Sequence, residues 1–457
     1  RDWPEADNTN PIPGDGGDMG NFKRRDVLKM TAGLAAGVPL LRGADALAQS
    51  ANFTYRPEKG AKLRVLRWRR FVQGDEDAFM AHVKRFSEKF GVEVRVDNEG
   101  WEDVRPKAAV AANVGSGPDI IYGWFDDPHQ YPDKLVDLTD VANYLGAKYG
   151  GWYDVARTYA SRDGKWIGLP LGAAGATFVH RISHVQAAGF SQFPKDTAGF
   201  LELCKAMKAK GTPAGFALGN AVGDGNSWVY WLVWAFGGRV VDEKNNVVIN
   251  SPETIRALEY AKELYATFVP GTLSWLDPNN NKAFLDGQVS ITNNGISIYY
   301  AAKTSKDPKV LEMVPDIGHA NYPIGPVGRP TELHLFTQAM VFRYSKFPNA
   351  AKAFVAFMME KEQYEPWQQA AIGYITQPLR AFENNPIWTV DPKHTPYRDV
   401  VKNMTAHGYA GTLGYASAAA MADFIVVNMV AEAASGARTP KEAAERAAAR
   451  ANRYYKV

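Results

Sequence analysis

The stretch "FMAHVKRFSEKFGVEVRV", residues 79–96, changes its hydrophobic period halfway along. Phe79, Val83, Phe86 and Phe90 recur at steps of four, three and four, which sets four large apolar side chains on one face of a helix. Gly91 ends that helix, and "VEVRV" (92–96) alternates apolar with charged, as a strand does. Upstream, "AKLRVLRW" (61–68) is a strand carrying Leu63, Val65 and Leu66, and Asp75, Glu76 and Asp77 sit where acids favour a helix N-terminus. Downstream, a second helix is predicted over about Glu102–Val114, and "PDIIYGW" (118–124) follows a Gly-Ser-Gly-Pro turn as a short apolar strand. Strand, helix, strand, helix, strand predicts the α/β class, with a parallel sheet and crossover helices. Ligands of such sheets bind at the carboxyl ends of the strands. The loops Arg67–Gly74, Asn98–Asp103 and Tyr122–His129 are therefore candidate site loops, and they carry Trp68, Phe71, Trp101, Tyr122, Trp124 and Phe125.

The middle of the chain repeats this style. "ATFVH" (176–180) is strand-like, Phe200–Lys210 is helical, and Ser227–Phe236 is an aromatic helix closed by Gly237 and Gly238. Trp228 and Trp231 open that helix and are further candidates for a ligand wall; Trp234 and Phe236 are assigned to the core. Pro252–Phe268 is a long amphipathic helix, "AFLDGQVSITNNG" (283–295) is a helix end, a turn and a strand, and Asn349–Glu362 and Pro440–Tyr455 are late helices.

Near the N-terminus, "FKRRDVLKM" (22–30) precedes a mildly apolar run, Met30–Leu41, and a small-residue exit at Ala46 and Ala48. Basic head, short apolar middle and small-x-small exit make a secretory signal, and the Arg24-Arg25 pair resembles the twin-arginine type, which carries folded proteins. Residues 1–48 are expected to be leader and signal, with the start at Met19. The net charge of +3, without a long run of one sign, calls for neither nucleic acid nor an anionic membrane. Cys204 is the only cysteine, so no intrachain disulfide forms, and its neighbours Phe200, Leu203 and Met207 place it on a buried helix face. After the leader no segment reads as long and apolar enough to span a membrane.

Several pieces, in this order, resemble the periplasmic solute-binding proteins of carbohydrate ABC importers, the maltose-binding-protein-like group. They are residues 79–96, "VGSGPDIIYGWFDD" (114–127), "KLVDLTDV" (134–141), "GKWIGLPLG" (164–172), "WAFGG" (234–238), "NSPETIRALEYAKEL" (250–264), residues 283–295, "FPNAAKAFVAFM" (347–358) and "EAASGARTPKEAAERAAARANR" (432–453). The resemblance implies a type II two-lobe α/β fold with a ligand cleft and a hinge crossed more than once. Lobe one would comprise 59–171 and 335–375, and lobe two 172–330 and 376–457. It implies an exported, soluble monomer without a lipid anchor, which takes up a sugar, closes around it and docks on inner-membrane permease subunits. No cofactor, metal or nucleic acid is implied.

It also places residues. Asp126 matches a family aspartate that takes sugar hydroxyls, whereas Asp127 stands where the family has arginine. Asn293 and Asn294 precede the second-lobe binding turn at Gly295. The Trp usual after that turn is missing, and Trp275 and Tyr299 are candidate replacements. Tyr374 lies in a third cleft segment. The other expectation on the same fold is a polyamine, polyol or glycerol-phosphate-type solute; a polyamine would draw on Asp126, Asp127 and Asp423. A more distant alternative is an exported glycosidase. For an enzyme, "GNSWV" fails the nucleophile-elbow pattern because Val229 stands where Gly is required, and Asp75 and Asp77 read as first-turn acids. His180 and His184 have metal-ligand spacing only if helical, and the Asp277 loop lacks a calcium loop's Gly and closing Glu.

Overall fold

The computed structural model describes residues 53–456, so the arginine pair, the apolar run and the cleavage site lie outside the described residues. The leading order is as predicted: β1 (Lys62–Trp68), α1 (Gln73–Phe90), β2 (Glu93–Glu99), α2 (Trp101–Val114) and β3 (Ile120–Trp124). Gly91 ends α1 at φ 65°, with its N–H on the Ser87 carbonyl, a left-handed cap that glycine adopts without strain. The apolar face of α1 packs Phe86 edge-on against Phe354 of the helix Pro348–Met358, ring centres 5.2 Å apart.

The sheet is mixed rather than parallel throughout. β2, β1 and β3 are parallel. Beyond β3 run β8 (Leu335–Val341), β4 (Leu169–Ala174) and β9 (Ile375–Thr376), each antiparallel to its neighbour, giving the order β9-β4-β8-β3-β1-β2. All seven residues of β8 are buried. A strand covered on both faces shows no alternation, so its sequence does not announce it.

A second sheet holds β5 (Thr177–Arg181) between β6 (Ile291–Asn294) and β7 (Ile317–Ala320), all antiparallel. Phe178 of β5 stacks on Phe200 at 4.6 Å and meets Trp231 edge-on at 5.1 Å. Trp228 and Trp231 belong to α3 (Asp224–Ala235), and both are fully buried in this layer. The indole N–H of Trp228 donates to the Ala217 carbonyl (2.8 Å) and that of Trp231 to the Pro323 carbonyl (2.9 Å). Cys204 is buried in the same region, and burial pushes its thiol pKa up. The chain crosses between the sheets from β4 to β5, from β7 to β8, and again after β9.

Asp75 is not an ordinary first-turn acid. It is fully buried, pairs with Arg67 at the end of β1, and accepts the indole N–H of Trp367 at 2.9 Å. The Arg67 guanidinium lies 4.3 Å from the Trp68 ring centre and 4.2 Å from that of Phe79. The pair pins both ends of the loop that carries Phe71.

One late stretch differs from expectation. Tyr415–Ala434 is long and apolar enough, by length and composition, to cross a membrane. It consists of two helices, Tyr415–Ala422 and Ile425–Ala434, broken where Phe424 takes φ 50°, and most of its apolar stretch is buried inside the protein. The second of these helices packs on α3.

Candidate functional site

Residues from both sheets and from the segments joining them line one narrow cavity. About 340 Å³ of space lies between its walls and at its mouth. The walls nearly touch: a Cβ on Gly223 would lie 3.0 Å from the Trp101 ring and 3.1 Å from the Asp277 carboxylate. The backbone N–H of Gly74, after β1, also reaches the hydroxyl of Tyr300, beyond β6, at 2.9 Å.

One wall is aromatic and comes from the loops after β1 and β2. Phe71 meets Trp101 edge-on at 4.7 Å. Behind Trp101 lies Trp124 (5.2 Å), then Trp68 (5.7 Å), then Tyr122 (6.1 Å). Only the front members, Phe71 and Trp101, line the cavity; Trp68, Tyr122 and Trp124 form the layer that supports them. The Trp124 indole N–H donates to the Trp101 carbonyl at 3.2 Å, which holds the front ring's backbone in place.

The opposite wall is polar and is built where α3 begins, on α4 (Asp277–Leu285), and just after β6. Asp277 accepts the backbone N–H of Asp224 (2.7 Å) and of Gly223 (3.1 Å), so its carboxylate caps the positive end of α3 from another helix. Asp224 accepts from the side-chain amides of Asn280 (2.9 Å) and Asn294 (3.3 Å). Asn294 donates to Asn281 (2.5 Å), Asn281 donates to Ser297 (2.9 Å), and Ser297 donates back to Asn294 (2.9 Å). Burial, followed by the charge of Asp277, raises the Asp224 carboxyl well above the ordinary range. Burial pushes Asp277 up to about 6; Glu102 adds to the rise, and the N–H bonds oppose it. Among the described residues no Lys, Arg or His lines the cavity.

Three polar atoms beside these acids are buried without hydrogen-bond partners: the Trp101 indole N–H, the Tyr374 hydroxyl and one carboxylate oxygen of Glu102. Trp101 is 8% exposed and Tyr374 4%, and both line the cavity. Carboxylates, amides and hydroxyls facing an indole suit a guest that has hydroxyl groups on its edge and C–H on its faces.

Of the residues singled out from the sequence, Phe71, Trp101, Asn294 and Tyr374 line this cavity. Asn293 lies one layer behind, donating to the Asp224 carbonyl (3.0 Å) and accepting from Tyr322 (2.7 Å). Trp228 and Trp231 sit in the second sheet's core, and half-buried Trp275 packs beside Gly215. The Tyr299 hydroxyl donates to Asp391 at 2.7 Å, outside the cavity lining. Asp423 pairs with Arg450 at 3.0 Å. Asp224, Asp277, Asn281 and Ser297 were not marked in the sequence. Asp224 lies ahead of the helix predicted from Ser227, and the stretch from Asp277 reads as a failed calcium loop.

Asp126 and Asp127 hold the structure together internally. Asp127 accepts Arg105 Nε–H (2.7 Å) and the Trp124 backbone N–H (2.9 Å). Asp126 accepts the Ser417 hydroxyl (2.5 Å) and faces His407 Nε2 (3.2 Å), tying the loop after β3 to the late segment 407–417. Burial raises its pKa, but the charge and hydrogen bond of His407, with Ser417, outweigh that and leave it below the ordinary range. A carboxyl with a depressed folded pKa stabilises fully above its unfolded value of about 3.9 and loses that contribution as pH falls through the folded value. Unfolding followed from neutral pH down to about pH 3 should therefore show a steeper acid loss in the parent than in Asp126→Asn; equal slopes would remove Asp126 from the linkage.

A larger hollow of about 1140 Å³ shares Ala176 with this cavity. Its charged groups pair with one another, His334 with Glu332 (3.0 Å) and Arg398 with Asp399 (2.6 Å), and the Nε2 of His319 is buried there without a partner. His180 lies in β5 rather than a helix, its Nδ1 on the Phe178 carbonyl at 3.1 Å, and the Nδ1 of His184 bonds the Ser290 hydroxyl at 2.7 Å. Among the described residues no group of three or more His, Cys, Asp or Glu is placed to hold a metal.

Three comparisons bear on this geometry. The profile of the bacterial extracellular solute-binding proteins matches residues 81–396. A protein of Deinococcus radiodurans described as an ABC transporter-binding protein is 23% identical over 203 residues, 43% of this chain and 47% of that relative, so the match spans about half the relative's length. Maltose-bound MalE3 of T. maritima superposes with a TM-score of 0.74 at 18% identity, over 86% of this chain and 99% of that one. The solute-binding protein of an Agrobacterium radiobacter K84 ABC transporter, in complex with ribitol, gives 0.71 at 17%, over 87% and 100%. The fold is that of the two-lobe α/β periplasmic binding proteins.

Proposed function

Because the chain belongs to the bacterial extracellular solute-binding proteins, we propose that it captures a hydroxyl-rich solute, a mono- or oligosaccharide or a sugar alcohol, and delivers it to the permease of an ABC importer. The observation that carries this is the cavity itself, an indole wall facing a carboxylate, amide and hydroxyl wall, with residues from both sheets. Lobe one would be 59–171 with 335–375, and lobe two 172–330 with 376–457; hinge motion at the crossings would open the narrow cavity and close it on the guest. The maltose and ribitol bound by structural neighbours support this class of ligand. In the same proposal the Arg24-Arg25 leader sends the folded receptor to the periplasm as a soluble monomer.

A thermal-shift screen across sugars and polyols tests the proposal. A guest at 100 times its dissociation constant adds about 2.7 kcal/mol of stability. Affinity should be roughly micromolar, about −8 kcal/mol. Trp101→Ala should weaken it tenfold or more in a calorimetric titration, and unchanged affinity would take Trp101 out of the site. Incubation with oligosaccharides separates receptor from glycosidase: intact sugar with a raised melting point supports the receptor, and released product supports the enzyme.

A further inference from the structure

We infer that the solute carries a protonated amino group, and that Asp224, with Asp277 beside it and Glu102 near them at the start of α2, is the seat of that charge. The inference rests on the receptor proposal above and narrows its ligand to amino sugars and amino polyols.

Its basis is a charge imbalance. Asp224 and Asp277 adjoin at the start of α3, and Glu102 lies next to Trp101 at the start of α2, close enough for its charge to act on Asp277. Asp224 and Asp277 line the cavity, and Glu102 stands behind its facing wall, next to Trp101, which lines it. The nearby buried cations are already engaged: Arg67 pairs with Asp75 and Arg105 with Asp127. Among the described residues no basic side chain lines the cavity. Burial first, and the neighbouring negative charge after it, raise both aspartates. A bound cation reverses that and favours closure.

Asp277 has a further duty in the fold, because it caps α3. Asp224 is freer: its hydrogen bonds to Asn280 and Asn294 both fall on one carboxylate oxygen. A second, independent observation points to a guest. The Trp101 indole N–H and the Tyr374 hydroxyl are buried, line the cavity and have no partner. An unmet buried donor is costly, and a hydroxylated guest would satisfy both. An ammonium group supplies donors to the carboxylates, and the Trp101 face adds cation–π attraction.

The test uses the full chain and matched probe pairs in calorimetric titration: glucosamine against glucose, glucamine against sorbitol, and the glucosamine disaccharide against its N-acetylated form. The amino member of each binding pair should bind at least tenfold tighter. In Asp224→Asn, and separately in Glu102→Gln, the amino member should lose at least fivefold more affinity than its neutral counterpart. The second variant keeps the test decisive if the first folds poorly. Neutral members that bind as tightly as the amino ones, or equal losses for both members in the variants, would overturn the inference and leave the carbohydrate receptor standing. No binding by any probe of either kind would overturn the receptor proposal and the inference together.

Discussion

Trp231→Ala should lower stability by about 3–5 kcal/mol, the usual cost of emptying a Trp-sized space in a packed core. The ring is 0% exposed, meets Phe178 edge-on at 5.1 Å and lies stacked on Tyr322 at 5.5 Å. Its N–H is committed to the Pro323 carbonyl, so truncation also leaves that acceptor unmet. In urea denaturation the midpoint should fall while the slope is kept, because the loss is in stability and not in surface exposed. Trp101→Ala should behave in the opposite sense, with affinity reduced more than stability, since that ring lines the cavity. A Trp231→Ala protein within about 0.5 kcal/mol of the parent would show that the ring is not packed where the structure places it.

Asp75→Ala should be comparably severe, about 3–5 kcal/mol, because it strands the Arg67 guanidinium in a site with 1% exposure between two aromatic faces. The large cost belongs to the broken pair and not to the intact one. Replacing both partners, as in Arg67→Met with Asp75→Leu, should recover most of the loss, and the double-mutant cycle measures the coupling. Asp75→Ala should also weaken the ligand, since the loop bearing Phe71 is pinned at one end by Arg67 and at the other by Asp75. A double variant destabilised by the full sum of the two single losses would show that the two charges do not depend on each other.

The leading elements were legible for local reasons: α1 has one apolar face and β2 alternates, while β1 and β3 are short apolar runs, β3 set off by the Gly-Ser-Gly-Pro turn before it. β8 was not, since "LFTQAMV" is buried on both faces and carries no alternation. The antiparallel half of the sheet was missed for the same reason: direction is set by where a strand re-enters, not by its composition. At the site, the aromatic loops were found from the strand-end rule, but the rule did not separate Trp101, at the front, from Trp124 and Trp68 behind it. The acids were missed because Asp224 and Asp277 lie 53 residues apart and each has an ordinary local explanation, a helix start and a discarded loop motif.

By itself, then, the sequence determined the leading strand–helix alternation, most of the long helices and the family that their order resembles, because periodicity, caps and turn residues act over a few neighbours. Only the tertiary structure decided which rings are core and which line the cavity, and which carboxylates are buttresses and which stand at the cavity wall. Asp126 looks outward in the sequence but closes on Ser417, 291 residues away. A side chain's surroundings are set by elements packed from distant parts of the chain, and no local pattern carries that information.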